Sequence, residues 1–125
     1  MKKICDLDIE KYKCVAPGIR TSEVIITEER IQHIKSRHPN DFERYSKYLE
    51  DILKNPNYIL ESDMPHTAFI LKKYAENGEQ FQLILRIVIE GENPKYKNSV
   101  ITFLRISERT WNKYLRNKKI LYKSE

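Results

Sequence analysis

Hydrophobic and polar residues alternate through the segment from Phe81 to Glu90. One set of alternate positions is entirely apolar: Phe81, Leu83, Leu85, Ile87 and Ile89. The other set is mixed: Gln82, Ile84, Arg86, Val88 and Glu90. Because successive side chains of a strand point to opposite faces, this pattern predicts a strand with one face against a core. Arg86 is then a charge in mid-strand, on the face away from that core.

Other short segments rich in β-branched and aromatic residues are predicted to be extended. They cover residues 24–26, 58–60, 67–74 and 99–106, with 120–122 as a final edge strand. The links at 76–79 and 91–94 are short and contain Gly, Asn or Pro. Links of hairpin length favour antiparallel pairing of the strands that they join.

Three helices are predicted, each beginning after a capping residue: Thr27, Asn40 and Ser107. Pro39 ends the first helix, because a residue before proline is disfavoured in helical geometry. Glu43 follows Asn40 at the spacing of a capping box, and apolar residues recur at helical spacing through 42–53. The third helix has Trp111, Tyr114 and Leu115 as its apolar face.

This order of elements predicts an α+β fold. N-terminal helices pack on an antiparallel sheet of about four strands, and a C-terminal helix follows. A chain of 125 residues fits one domain with its own core, so residues 1–125 are assigned to a single domain. Residues 1–20 are predicted to form an N-terminal arm, which the Pro17-Gly18 turn closes.

Composition narrows the class of protein. The chain is 40% hydrophobic and 33% charged, and no apolar run reaches the roughly 18 residues of a membrane span. The basic start has no apolar stretch behind it, so a cytoplasmic protein is expected. Cys5 and Cys14 have neither metal-ligand nor redox-pair spacing and are predicted to be free thiols. No metal site is expected.

Positive charge is concentrated at the C-terminal end. From Lys95 onward there are nine bases and two acids, whereas the first 94 residues hold 14 bases and 16 acids. A basic end on a nearly neutral body favours a polyanionic partner, and the alternative is a solvated, lysine-rich surface. The predicted nucleic-acid contacts are Arg105, Arg109, Lys113, Arg116, Lys118 and Lys119.

Strand alternation also predicts a phosphate site on the sheet. If Phe69, Leu85 and Phe103 all face the helices, then Lys72, Arg86 and Thr102 share the opposite face. A guanidinium, an ammonium and a hydroxyl are donors suited to a phosphate group. A slip of one residue in register would invert a strand, and ordinary surface charges are the alternative, with Lys73 available in place of Lys72.

His38 is the only histidine on an apolar helical stripe, which it shares with Ile31 and Ile34. Histidine titrates near neutral pH and can act as a general acid or base. The alternative is that His38 only caps the end of its helix, where a positive ring is favoured.

Two segments carry a family resemblance: TSEVIITEERIQHIKSRHPNDFERYSKYLEDILKNPNYIL at 21–60 and KNSVITFLRISERTWNKYLRNKKILYK at 97–123. They resemble the phage-associated barnase–EndoU–colicin–RelE-like (BECR) nuclease domains found at the C-terminus of phage head-morphogenesis and minor capsid proteins. The similarity covers most of residues 20–125. The resemblance implies helices packed on a four-stranded antiparallel sheet, with metal-free RNA cleavage on the sheet face.

The resemblance assigns His38, from the RHP motif, to acid–base work and Thr102, from the NSVIT motif, to a phosphate contact. Lys72, Arg86 and Tyr122 join the predicted catalytic set on resemblance and strand geometry together. The predicted function is a metal-independent endoribonuclease without cofactor, toxin-like or phage-associated. It attacks through the 2′-hydroxyl of its substrate, a tRNA or another cellular RNA.

The expected protein partners are an immunity protein or antitoxin, or a phage capsid protein. The expected location is the cytoplasm, including a bacterial cytoplasm into which the protein is delivered, or the virion. The alternative function is a non-catalytic module that binds nucleic acid or docks on a phage protein. Transfer chemistry on a nucleotide cofactor ranks last, because the chain has no Gly-rich phosphate loop.

Overall fold

The structure is a computed structural model, and it describes residues 1–124. The strands are β1 (Lys2–Asp6), β2 (Glu23–Ile26), β3 (Tyr58–Glu61), β4 (Thr67–Lys73), β5 (Gln80–Arg86), β6 (Asn98–Arg105) and β7 (Ile120–Lys123). The α-helices are α1 (Ile9–Tyr12), α2 (Glu28–Arg37), α3 (Asp41–Tyr45), α4 (Leu49–Lys54) and α5 (Glu108–Asn117). A 3-10 turn, Ser46–Tyr48, joins α3 to α4.

The strands form one mixed sheet of seven in the order β1-β2-β6-β5-β4-β3-β7. All neighbours are antiparallel except β2 and β6, which run parallel with Val24 opposite Asn98. The α+β class is therefore confirmed, whereas the prediction of about four antiparallel strands is wrong. Helices α2 to α4 lie between β2 and β3 in sequence, and β4 and β5 then follow as a hairpin. The short segments β1 and β2 extend the sheet beyond β6.

The segment predicted as an N-terminal arm is packed into the domain. It supplies β1, which pairs with β2 along one edge of the sheet. It also supplies Tyr12, which is completely buried and donates its hydroxyl hydrogen to the Leu53 carbonyl at 2.6 Å. Burial raises the pKa of the Cys5 thiol to about 11, while Cys14 is exposed. No helix of the described chain is long and apolar enough to span a bilayer.

Helix capping follows the prediction at two of three sites. The side chains of Thr27 and Ser107 each accept a backbone N–H bond, at 3.2 Å, in the first turns of α2 and α5. Asn40 instead adopts a left-handed backbone with φ of 71° and makes no side-chain cap. Glu43 pairs with Lys35 at 3.2 Å, so the predicted capping box is absent. The second predicted helix is accordingly broken into α3, the turn and α4.

Both faces of the sheet are covered, by different helices. One face, called the three-helix face, packs Ile70, Leu83, Leu85 and Phe103 against α2, α3 and α4. The other, called the α5 face, packs Leu60, Phe69 and Leu71 against Trp111 of α5, with Ile84 and Tyr114 beside them. Burial on both sides explains why Thr67 to Leu71 of β4 are all buried. Alternation in a strand predicts a single buried face only when the other face is open.

Candidate active site

Strand register brings Arg86 and Thr102 to the same side of the sheet. Arg86, the last residue of β5, lies opposite Thr67 on β4 and Ser99 on β6. Thr102 lies opposite Ile84. Residues that oppose one another point to the same face, so all of these side chains lie on the α5 face. Arg86 and Thr102 thus share a face, as predicted, and Ser99, the direct partner of Arg86, adds a second hydroxyl to that face.

Lys72 is on the other side of the sheet, which corrects the prediction. It lies opposite Phe81 on the three-helix face. Its ammonium donates to the Asn55 carbonyl at 2.6 Å and lies 3.9 Å from Asp51, with only 14% of the side chain exposed. The prediction assumed that Phe69 faces the N-terminal helices. Phe69 instead packs edge-on against Tyr114 of α5 at 4.7 Å, which inverts β4 relative to the expectation.

His38 does not approach Arg86 or Thr102. It follows α2 on the three-helix side, and its carbonyl accepts from the N–H of Asp41 at 3.1 Å. Asp41 begins α3, and the last residue of that short helix, Tyr45, accepts from Arg105 at 3.4 Å through its hydroxyl. Arg105 is at the far end of β6 from Ser99, about 20 Å along the strand. The predicted convergence of His38 with the phosphate site is therefore wrong, and His38 closes α2 as its C-cap residue.

Tyr122 is also remote from the phosphate site. It lies on β7, opposite Ile59, and packs against the core of the three-helix face. The Lys11 ammonium is 5.6 Å from the centroid of its ring. Strands β3 and β4 separate β7 from β5, a distance of about 14 Å across the sheet. The predicted catalytic set is therefore divided, and only Arg86 and Thr102 lie together.

An ion pair with a loop carboxylate holds the Arg86 side chain. Its guanidinium donates to Glu92 Oε1 at 2.6 Å and also to the Ile87 carbonyl. The second oxygen of Glu92 accepts the Ile89 N–H at 2.8 Å. The bond from Ile89, then the bond and charge of Arg86, lower the pKa of the Glu92 carboxyl, and the charge of His66 adds to this effect. Glu92 is therefore ionised beside Arg86 at neutral pH.

Hydrogen bonds from side chains outside the loop hold the loop that carries Glu92. Arg20 donates to the carbonyls of Glu92 and Asn93, each at 2.7 Å, and to that of Tyr96. Asn98 is completely buried, accepts the Val88 N–H at 2.8 Å and donates to Thr21 at 2.7 Å. These bonds satisfy loop backbone groups that a sheet would otherwise pair. Glu92 therefore lies on a loop whose backbone is held in place by hydrogen bonds.

His66 completes this end of the sheet and was not among the residues predicted for the site. It directly precedes Thr67, the partner of Arg86, and its carbonyl accepts the Ile87 N–H at 2.8 Å. Its side chain is partly buried. One signal in the sequence points to both missed residues. In an antiparallel hairpin, the start of one strand meets the end of the next, so His66 before β4 and Glu92 after β5 belong to one end of the sheet.

A cavity of about 240 Å³ opens at this end, lined by Arg86, Val88, Glu92, Tyr96, Lys97 and Ser99. Its donors are of three kinds: a guanidinium, an ammonium and a hydroxyl. A larger cavity of about 560 Å³ lies at the opposite end of the sheet. Its charges are paired with one another, Arg105 with Glu79 at 3.4 Å and Lys73 with Glu108 at 3.9 Å. The basic groups of the smaller cavity are paired as well, Arg86 with Glu92 at 2.6 Å and Lys97 with Glu23 at 3.3 Å, and the smaller cavity is the one that holds the predicted Arg86.

The six predicted nucleic-acid contacts do not all lie on the same part of the surface. Arg105 is engaged by Glu79 and by the Tyr45 hydroxyl at 3.4 Å, at the end of the sheet away from Arg86. Lys118 lies on the α5 face, with its nitrogen 4.6 Å from the centroid of the Phe69 ring. Four others are exposed and have no carboxylate within 4.0 Å among residues 1–124: Arg109, Lys113, Arg116 and Lys119. The α5 helix thus carries unpaired positive charge beside the α5 face.

A family model described as phage-Barnase-EndoU-ColicinE5/D-RelE like nuclease2 matches residues 8–123. No curated protein and no solved structure matches the chain.

Proposed function

The chain belongs to this phage-associated family of BECR-like nucleases, and we propose that it is an endoribonuclease that needs no metal ion. The observation that carries the proposal is the small cavity beside Arg86, which a guanidinium, an ammonium, the Ser99 hydroxyl and a carboxylate line, with Thr102 farther along the same face of the sheet. Family membership makes a nucleic acid the substrate. The choice of RNA rests on the chemistry that this group supports.

Cleavage of RNA without a metal uses a nucleophile that the substrate carries. The 2′-oxygen forms a bond to the adjacent phosphorus, the bond from phosphorus to the 5′-oxygen breaks, and a 2′,3′-cyclic phosphate is left. The phosphorane that forms between these steps carries extra negative charge. Arg86 offers two parallel N–H donors to it, while Ser99 and Thr102 offer hydroxyl donors. Among the described residues neither hydroxyl forms another side-chain hydrogen bond, so both are available.

The cations of α5 are suited to hold the rest of the RNA backbone. Lys118, directly after α5, lies on the α5 face, and Lys113 and Arg116 are exposed on the helix itself. Charges of this kind supply affinity that depends on salt but not on sequence. They also form a surface that an acidic inhibitor can cover. A toxin-like or phage-associated role, with an immunity protein, an antitoxin or a capsid protein as partner, fits this surface and the family.

The test is cleavage of a labelled RNA by purified protein in the presence of EDTA. We expect shorter products that end in cyclic phosphate. Arg86→Ala should slow their formation by about 100-fold or more, because it removes a donor to the developing charge. Arg37→Ala, an exposed arginine on the three-helix side, is the matched control and should cut at the normal rate. RNA that is bound but remains intact would instead identify a non-catalytic binding module.

A further inference from the structure

His66 and Glu92 are two groups near Arg86 that are able to exchange protons, beside the Tyr96 and Lys97 that also line the cavity. They reach the site from different sides. His66 comes from the turn before β4, and its carbonyl is bonded to the residue after Arg86 at 2.8 Å. Glu92 comes from the loop after β5 and binds Arg86 at 2.6 Å. The other two histidines lie on or directly after α2, on the three-helix side, where they cannot serve this site.

The two groups are suited to opposite tasks. Glu92 is ionised, since Ile89 and Arg86 both donate to it, and an ionised carboxylate is ready to accept a proton. An imidazole is a side chain that can give up a proton as a general acid. The backbone of His66 is bonded to the residue after Arg86, and its charge contributes to the lowered pKa of the Glu92 carboxyl.

We propose that Glu92 is the general base and His66 the general acid of the cleavage reaction. This inference rests on the proposed function. When a phosphate binds, Arg86 turns its donors from Glu92 to the phosphate oxygens, which frees the carboxylate. Glu92 takes the proton of the 2′-hydroxyl as that oxygen bonds to phosphorus. His66 gives its proton to the 5′-oxygen as the bond from phosphorus to that oxygen breaks. The products are a 2′,3′-cyclic phosphate and a 5′-hydroxyl.

Backbone geometry decides which variant of His66 is informative. His66 has a φ of 55°, a left-handed conformation. Asparagine tolerates that conformation better than most residues, so His66→Asn keeps the turn while removing the imidazole. Glu92→Gln keeps the shape of the carboxylate and removes its basicity. His33→Ala, an exposed histidine on α2, is the matched control. Thermal unfolding of each variant checks that it is folded.

The experiment compares ordinary RNA with RNA in which the leaving 5′-oxygen at one site is replaced by sulfur. A thiolate departs without being protonated, so the modified site needs no general acid but still needs a base. On ordinary RNA, His66→Asn and Glu92→Gln should each lose about 100-fold or more in rate. On the sulfur substrate, His66→Asn should regain most of the wild-type rate, whereas Glu92→Gln should remain slow. His33→Ala should match the wild type on both.

Other outcomes are equally informative. If His66→Asn is slowed on both substrates alike, His66 is not the acid. If either variant cuts ordinary RNA at the wild-type rate, its role in proton transfer is refuted. If the wild-type protein itself leaves ordinary RNA intact, the proposed function fails and this inference fails with it. That result differs from a wrong assignment of acid or base, because the unsubstituted protein is then already inactive on RNA.

Discussion

The guanidinium of Arg86 and the carboxylate of Glu92 are 2.6 Å apart, joined across the turn that follows β5. The same carboxylate closes that turn by accepting from Ile89. In the free protein, therefore, a side chain of the protein occupies the donors that a phosphate would use. A bound phosphate has to replace Glu92 at Arg86, so the ion pair affects affinity as well as chemistry.

Removing the negative charge of Glu92 is expected to strengthen binding of nucleic acid even where cleavage is blocked. Glu92→Gln leaves Arg86 without its competing anion, and partly exposed ion pairs contribute up to about 1 kcal/mol, or about fivefold in affinity. The measurement is fluorescence anisotropy with a DNA oligonucleotide, which lacks the 2′-hydroxyl. Glu76→Gln, in the turn at the other end of the sheet, is the control of equal charge. Equal gains in the two variants would show that only net charge matters.

The positive face of α5 is expected to determine the salt dependence of binding. Each contact to a phosphate of single-stranded nucleic acid contributes about −0.7 to the slope of log K against log salt. Lys113→Gln combined with Arg116→Gln should therefore make the slope shallower by about 1.4. Titrations at several salt concentrations measure this slope. A pair at the three-helix side, Arg37→Gln with Arg44→Gln, changes net charge equally and should leave the slope nearly unchanged.

The free energy of unfolding is expected to fall in acid because Asp51, which lies beside Lys72 on the three-helix face, becomes protonated. Burial alone would raise the pKa of Asp51, but bonds from Tyr74 at 2.6 Å and Asn55 at 2.9 Å, with the charge of Lys72, lower it overall. A lowered pKa in the folded state means that the ionised form stabilises the fold. This stabilisation is complete above the ordinary value of 3.8 and is lost as the pH falls through the lower value of the folded protein.

Urea denaturation at a series of pH values from neutral to about 3 measures this dependence. Asp51→Asn should flatten the curve, because the amide does not titrate. Tyr74→Phe should cost about 1 kcal/mol at neutral pH, the net value of a hydrogen bond, and less in acid. An identical pH profile in Asp51→Asn and the wild type would exclude Asp51 as the group responsible.

Local patterns predicted local structure well and long-range placement less well. The alternation in β5 correctly placed Leu83 and Leu85 against the N-terminal helices and Arg86 away from them. The same reasoning failed for β4, because α5 returns to cover its second face and both faces are apolar. Lys72 was misplaced for that reason. When both faces of an apolar strand are buried, the alternation of its residues does not show which set faces the N-terminal helices and which faces α5.

The candidate site depends on features that have no periodic signal. Its loop is fixed by Arg20 and Asn98, which are 72 and 10 residues from the loop groups that they bind. Glu92 and His66 lie outside the strands, where alternation makes no prediction. His38 was favoured because it is on an apolar helical stripe, but that stripe faces the core on the three-helix side. Resemblance to a family predicted the class of activity without determining which residues meet.

The central claim is that the protein cuts RNA through the 2′-hydroxyl next to the broken bond. The most direct measurement uses two RNA oligonucleotides of identical sequence in EDTA, one of which has a single 2′-deoxy nucleotide immediately before the main cleavage site. Mass spectrometry then identifies the product ends. We predict that the deoxy substitution abolishes that cut and that the unmodified RNA gives 2′,3′-cyclic phosphate ends. Equal cleavage of the two RNAs at that site would contradict the claim.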